Sequence, residues 1–129
     1  TQKVFAFDYD NKTGEIGNRD VAITIPDSLG YADGSTMDEN GMIWIAMWGG
    51  RAVTQWNPET GELLRRIAVP ALNVTSCAFG GDSLNTLYIT TARAGMSEKQ
   101  LAKFPLSGGL FKIKTNVKGM KASFFKAPP

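Results

Sequence analysis

Val53-Thr54-Gln55-Trp56-Asn57-Pro58-Glu59-Thr60-Gly61-Glu62-Leu63 is the stretch on which the fold turns. β-Branched and aromatic residues lead into Asn57-Pro58, where proline sits at a turn position whose backbone angle it pre-sets. Gly61 closes the loop before the returning chain, so the stretch predicts strand, tight turn, strand. The same unit occurs earlier as Phe5-Ala6-Phe7-Asp8-Tyr9-Asp10-Asn11-Lys12-Thr13-Gly14-Glu15-Ile16. Thr13-Gly14-Glu15 matches Thr60-Gly61-Glu62 at an offset of 47 residues. A second pair of units matches Met37 with Phe79 and Trp44 with Tyr88, at offsets of 42 and 44. Periods in the forties, all β, with about four strands per repeat, belong to propeller blades.

The chain is therefore expected to be all-β, with about two and a half to three β-propeller blades and no internal domain boundary across residues 1–129. So few blades leave apolar blade faces open to water. The expected partner is either the missing part of the ring, present as a separate chain, or a second copy of the same chain.

Outward from the repeat, about ten short strands are predicted, and no helix beyond at most one turn in the loop from Ala94 to Lys103, where Ser97-Glu98-Lys99-Gln100 carries the polarity of a capping box. Gly108 to Lys114 and Lys121 to Phe125 are expected to form a last hairpin. Asp8 and Asp10 suggest a calcium loop only briefly: the fifth, sixth and twelfth positions would be Lys12, Thr13 and Arg19, where an oxygen ligand, Gly and Glu are required.

Composition narrows the chemistry. Apolar residues make up 43% of the chain, enough for a core. Fourteen basic against 12 acidic residues leave a net charge of +2, too mild to imply nucleic acid or an anionic membrane surface. Lys112, Lys114, Lys118, Lys121 and Lys126 thicken toward the C-terminus but alternate with apolar residues, as on a solvated strand face. There is no histidine, which removes Ser-His and Cys-His catalysis and imidazole-held zinc from this chain. The single cysteine, Cys77, forms no intrachain disulfide and reads as a small buried hydrophobe. No run of transmembrane length and no signal peptide are visible, so a cytoplasmic protein is expected, although the chain opens on Thr1, as if upstream sequence had been removed or left out.

The candidate chemistry lies in Ala32-Asp33-Gly34, ahead of the strand Ile43-Trp44-Ile45-Ala46-Met47-Trp48. Small neighbours let the Asp33 carboxylate point into a pocket, while a turn-capping role is the simpler alternative. Asp38-Glu39-Asn40-Gly41 reads as an outer hairpin turn, not a second metal site. Trp44, Trp48, Trp56 and Tyr88 read as blade packing, and Arg93 as an ion-pair partner between blades.

Taken together, several segments resemble one family in order along nearly the whole chain: Ala6-Phe7-Asp8-Tyr9-Asp10 with Thr13-Gly14-Glu15-Ile16, Ala32-Asp33-Gly34 with Gly41-Met42-Ile43-Trp44-Ile45-Ala46, Gly50-Arg51-Ala52-Val53 with Asn57-Pro58-Glu59-Thr60-Gly61, Thr75-Ser76-Cys77-Ala78-Phe79-Gly80-Gly81, Leu87-Tyr88-Ile89-Thr90-Thr91-Ala92-Arg93, and Gly108-Gly109-Leu110-Phe111-Lys112-Ile113. The family is that of regucalcin (senescence marker protein), the gluconolactonases and the luciferin-regenerating enzyme. The resemblance implies a six-bladed propeller of which this chain is the C-terminal half, beginning near the second strand of a middle blade. It also implies one divalent metal, calcium or zinc, held in the central channel by a Glu, an Asn and the Asp of a Pro-Asp-Gly motif. Only the Asp maps here, onto Asp33, with Ala32 in place of the proline, so the ligand set is incomplete in this chain.

The implied activity is metal-dependent hydrolysis of a sugar lactone, with Asp33 as metal ligand and as the group that helps take a proton from the attacking water. The family's substrate-contacting Arg and Asn fall upstream of Thr1. Thr75 and Ser76, where the next blade repeats the Asp33 loop, are the substrate-contact candidates, with loop capping as the simpler role. The competing readings are a non-catalytic half-propeller that assembles with a partner, and a calcium-binding regucalcin-like protein.

Overall fold

The computed structural model describes residues 1–125. Nine strands follow one another: β1 (Lys3–Tyr9), β2 (Ile16–Thr24), β3 (Tyr31–Met37), β4 (Ile43–Trp48), β5 (Ala52–Trp56), β6 (Leu63–Ala68), β7 (Asn73–Gly80), β8 (Thr86–Ala92) and β9 (Leu110–Lys114). A 3₁₀ turn, Asp27–Leu29, precedes β3, and one short helix, α1 (Glu98–Lys103), lies between β8 and β9. The strands form three antiparallel meanders, β1-β2, β3-β4-β5-β6 and β7-β8-β9, in chain order. These are successive blades of a partial propeller, the fold expected from the repeat.

The two repeated hairpins share their turn down to single hydrogen bonds. Asp10 Oδ1 accepts from the backbone N–H of Lys12 (2.7 Å) and Thr13 (3.3 Å), and Asn57 Oδ1 accepts from that of Glu59 (2.9 Å) and Thr60 (3.4 Å). Thr13 Oγ1 and Thr60 Oγ1 then accept from Glu15 and Glu62, and Gly14 and Gly61 close each loop at φ 79 and 73, angles that favour glycine. The backbone N–H groups of Lys12 and Thr13 hold the Asp10 carboxyl below its usual range. Because the β1-β2 turn is equivalent to the β5-β6 turn, the chain enters at the third strand of a blade, not near the second as the resemblance implied.

Side chains alternate along β4 and bury both of its faces. Ile45 and Met47 join Ile23, Ile25 and Trp56 in a core between the first two sheets. Trp44 and Ala46 join Val53, Val74, Cys77, Leu87 and Ile89 in a core between the second and third. Trp44 also meets Phe79 edge-on, with ring centroids 5.6 Å apart at 87°. The outer face of the first sheet is different: Phe7, Tyr9, Ile16 and Val21 are exposed there, and Arg19 lies 4.9 Å from the centroid of the Phe5 ring.

Two expectations need correction. Lys121 to Phe125 is not a strand, and β9 pairs with β8 instead of with a later hairpin partner. After β9, Thr115 Oγ1 donates to the Val117 carbonyl at 2.7 Å and the chain crosses to the second sheet, where Gly119 bridges Asp38 and the Glu39 N–H donates to the Lys118 carbonyl. This leaves the alternating residues 121–125 with no strand edge to pair, and Phe124 and Phe125 are almost fully exposed. Asp38 is not on the outside: its side chain is fully buried. Lys112, Lys114, Lys118 and Lys121 are exposed as expected, and Lys126 lies outside the described residues.

Candidate functional site

β3 and β7 are the first strands of their blades, and they lie side by side. Both carry a bulge at the same step. In β3, Ala32 pairs with Met47 and Ser35 with Ile45, so Asp33 and Gly34 share the single partner position of Ala46. In β7, Val74 pairs with Thr91 and Ser76 with Thr90, which leaves Thr75 as the extra residue. A bulge bends the strand and re-aims one side chain, and bulges concentrate beside functional sites. Here one of them presents Asp33, whose carboxylate is exposed.

Gly34 explains how the two strands come so close. A Cβ at this position would fall 2.7 Å from Ser76 Cβ and 2.8 Å from the Thr75 carbonyl, and closer still to Ser76 Oγ. Only the absent side chain lets β3 approach the second bulge. Ser76 is therefore a packing surface for Gly34. The Thr75 hydroxyl shares a 2.8 Å hydrogen bond with that of Thr90. The structure thus places both substrate-contact candidates next to the Asp33 strand, the Thr75 hydroxyl bonded to Thr90 and the Ser76 side chain packed against Gly34. Arg93 lays its stem over Gly108, where a Cβ would lie 3.1 Å from Arg93 Cγ.

The two neighbouring aspartates differ in what they can do. Asp38 Oδ1 accepts from the backbone of Asn40 (3.0 Å) and Met42 (3.1 Å). Its Oδ2 accepts from Trp44 Nε1 (2.8 Å) and Gln55 Nε2 (2.9 Å). Its acceptor sites are taken and it has no contact with solvent, so it is a structural group. Asp33 keeps its oxygens open to solvent. Among the described residues, no group of three or more His, Cys, Asp or Glu side chains could hold a metal ion. Cys77 is no alternative nucleophile: burial pushes its thiol up to about 12, and Sγ donates to the Trp44 carbonyl at 3.4 Å.

A cleft of about 410 Å3 opens at the same end of β3 and β7, lined by Tyr31, Trp48, Leu72, Asn73, Met96 and Gln100 among others. Sequence reasoning missed it and assigned Trp48 to blade packing together with Trp44 and Trp56. The latter two are buried, whereas Trp48 is half-buried at the cleft and Tyr88 lies on the open side of the third sheet. A length signal existed. The β4-β5 connection takes three residues, 49–51, whereas the equivalent β8-β9 connection takes seventeen, 93–109, and excursions of that length are commonly functional.

That excursion is pinned down. Asn73 Nδ2 donates to the Ala94 carbonyl at 3.1 Å, and the Leu72 N–H donates to Ser107 Oγ at 3.3 Å. The Arg51 guanidinium lies 4.8 Å from the Phe104 ring centroid. Ser97 and Gln100 form the capping box of α1 that their order predicted.

Among the described residues no helix is long and apolar enough to cross a membrane. The chain is 41% identical over 119 residues to YvrE of Bacillus subtilis, a candidate sugar lactone lactonase by name, covering 92% of this chain and 41% of that protein. It is 39% identical over 110 residues to regucalcin of Gallus gallus, covering 85% of this chain and 37% of the relative. Among solved structures, a calcium-binding protein, regucalcin, from Agrobacterium tumefaciens superposes with a TM-score of 0.89 at 29% identity, over 98% of this chain and 43% of its own. Luciferin-regenerating enzyme superposes with a TM-score of 0.83 at 32% identity, over 92% of this chain and 40% of its own. The chain thus spans about two fifths of the length of the relatives it matches. With residues 1–93 matching the SMP-30/Gluconolactonase/LRE-like region, the blade repeat, the bulged Asp33 strand and these relatives agree that the chain belongs to the SMP-30/gluconolactonase/LRE-like family.

Proposed function

We propose that this chain is the segment of a lactone hydrolase that supplies Asp33 to the active site, and that activity requires the remaining blades. The observation that carries this reading is the Asp33 bulge: an exposed carboxylate on a first strand, held in place by the Gly34–Ser76 contact, in a chain of this family. In this role Asp33 takes the proton from a water that attacks the lactone carbonyl. The ring ester bond then breaks and Asp33 returns that proton to the leaving ring oxygen, which departs as a hydroxyl, giving the open hydroxy acid.

A divalent cation, calcium or zinc, belongs to the family reading. The described residues fit it poorly by themselves, since one carboxylate is far from the six to eight oxygens calcium collects and no acidic cluster lies nearby. Asp33 would be one ligand among several, the others coming from outside this chain.

A second reading is favoured by the apolar outer face of the first sheet, Phe7, Tyr9, Ile16 and Val21: a half-propeller that assembles with a second copy or with a separate N-terminal half. The test is native mass with and without EDTA, with hydrolysis of glucono-1,5-lactone followed on the same fractions. Hydrolysis lost on EDTA treatment and lost again in Asp33→Asn supports the lactonase. An assembled ring, completed by the remaining blades or by a second copy, that binds no metal and hydrolyses no lactone refutes it and leaves the assembly module.

A further inference from the structure

We propose that the cleft at the head of β3 and β7 is a neutral subsite that takes the hydroxylated tail of an aldonolactone whose carbonyl sits at Asp33. The proposal rests on the lactonase reading and adds to it the part of the substrate that is recognised and the residues that recognise it.

Tyr31 opens β3 two residues before Asp33, and at about 3.3 Å of rise per residue the two lie about 7 Å apart along the strand. That span is comparable with the distance from the carbonyl of a six-carbon aldonolactone to its far end. Asn73 opens β7 on the other side, so equivalent positions of two adjacent blades flank the cleft. Its volume, about 410 Å3, is within the range of small-molecule sites.

Tyr31 is 65% exposed and is paired across the sheet with Trp48, so two aromatic residues meet at the wall. Aromatic rings offer apolar faces to the C–H faces of a sugar and keep a polar tip for its hydroxyls. Gln100 uses Oε1 to accept from the Ser97 N–H (2.9 Å) and hydroxyl (3.1 Å), which fixes the amide and leaves its NH2 as donor at the cleft. None of the cleft's lining residues is charged. A phosphorylated tail would place a dianion against this wall without a cation, which is costly, so the cleft selects the unphosphorylated lactone.

Gly30, at φ 92, packs where a Cβ would meet the Trp48 carbonyl and Gly50 N at 2.7 Å or less, so the loop entering β3 lies directly on the turn after β4. The 93–109 excursion is held to the adjoining chain through Asn73, Ser107 and Phe104, as described above. Tyr31 and Trp48 therefore face Met96 and Gln100 across a gap set by backbone.

The test compares kcat/KM of the assembled, lactone-hydrolysing protein for glucono-1,5-lactone, its 6-phosphate and the tail-less δ-valerolactone. The wild-type protein is expected to prefer gluconolactone over both. In Tyr31→Ala and in Gln100→Glu, which keeps the capping box but removes the NH2 donor, the ratio of gluconolactone to δ-valerolactone should fall about tenfold, through KM. An unchanged ratio overturns the proposal, as does a wild-type preference for the 6-phosphate.

Saturation-transfer NMR with gluconate, the hydrolysis product, reads the cleft without turnover. Contact with gluconate that is lost in Tyr31→Ala sustains the subsite even if no lactone is hydrolysed, in which case the lactonase reading alone fails. No contact in the wild-type protein overturns the subsite whatever the activity.

Discussion

Trp44 Nε1 donates a 2.8 Å hydrogen bond to Asp38 Oδ2 in the buried interior, and Gln55 Nε2 donates to the same oxygen. Replacing Asp38 by Ala leaves two buried side-chain donors and two backbone donors without their acceptor. Each orphaned buried group costs about 1–3 kcal/mol, so Asp38→Ala should lower stability by at least about 3 kcal/mol. The urea midpoint, at unchanged slope, is the measurement. Asp38→Asn retains one acceptor oxygen and should lose less.

Asp33→Asn is the contrasting case. The side chain is exposed, so the unfolding free energy from urea denaturation should change by less than about 0.5 kcal/mol. Hydrolysis of gluconolactone by the assembled protein should fall at least about 100-fold, because the amide takes no proton from water. A large loss of stability, with activity lost only in proportion to unfolding, would make Asp33 a structural residue like Asp38.

Gly34→Ala drives a methyl into Ser76 and the Thr75 carbonyl, and overpacking of this kind costs about 1–3 kcal/mol. Part of that cost is relieved by Ser76→Gly, which removes the Cβ and Oγ but not the carbonyl. The double variant should therefore be more stable than the two single changes added together. Additive losses would show that β3 and β7 do not meet at this pair.

The folded-state pKa of Cys77 is raised by burial to about 12 from an ordinary 9.0. Between these values the folded protein holds a proton that the unfolded chain releases. Stability from this group is therefore complete below pH 9 and declines as pH rises toward 12. Chemical denaturation across that interval should show a steeper decline for the wild-type protein than for Cys77→Ala. At pH 8, iodoacetamide should label the thiol only after unfolding.

Much of the fold was legible because its determinants are local. The Asp10 and Asn57 turns recur because each needs only an acceptor side chain, a threonine three residues later and a glycine, all within a few positions. Those turns announced the blades. The last expected hairpin failed because a strand needs an edge to pair with, and residues 121–125 had left the third sheet by the time they alternated. Asp33 was visible only through the resemblance of Ala32-Asp33-Gly34 to a family motif, since an Asp before a Gly reads equally well as a turn cap.

Sequence alone determined the all-β class, the blade period, the absence of imidazole chemistry and the capping box of α1, because each depends on neighbours in the chain or on composition. Only the tertiary structure decided which aspartate is free. Asp38 is consumed by donors from β4 and β5, and Asp33 is left open at a bulge whose close contact, Gly34 on Ser76, joins residues 42 apart. The cleft is likewise a product of distance: Tyr31, Trp48, Asn73 and Gln100 come from four separate segments. No local pattern encodes their convergence, because it arises from how one blade packs on the next.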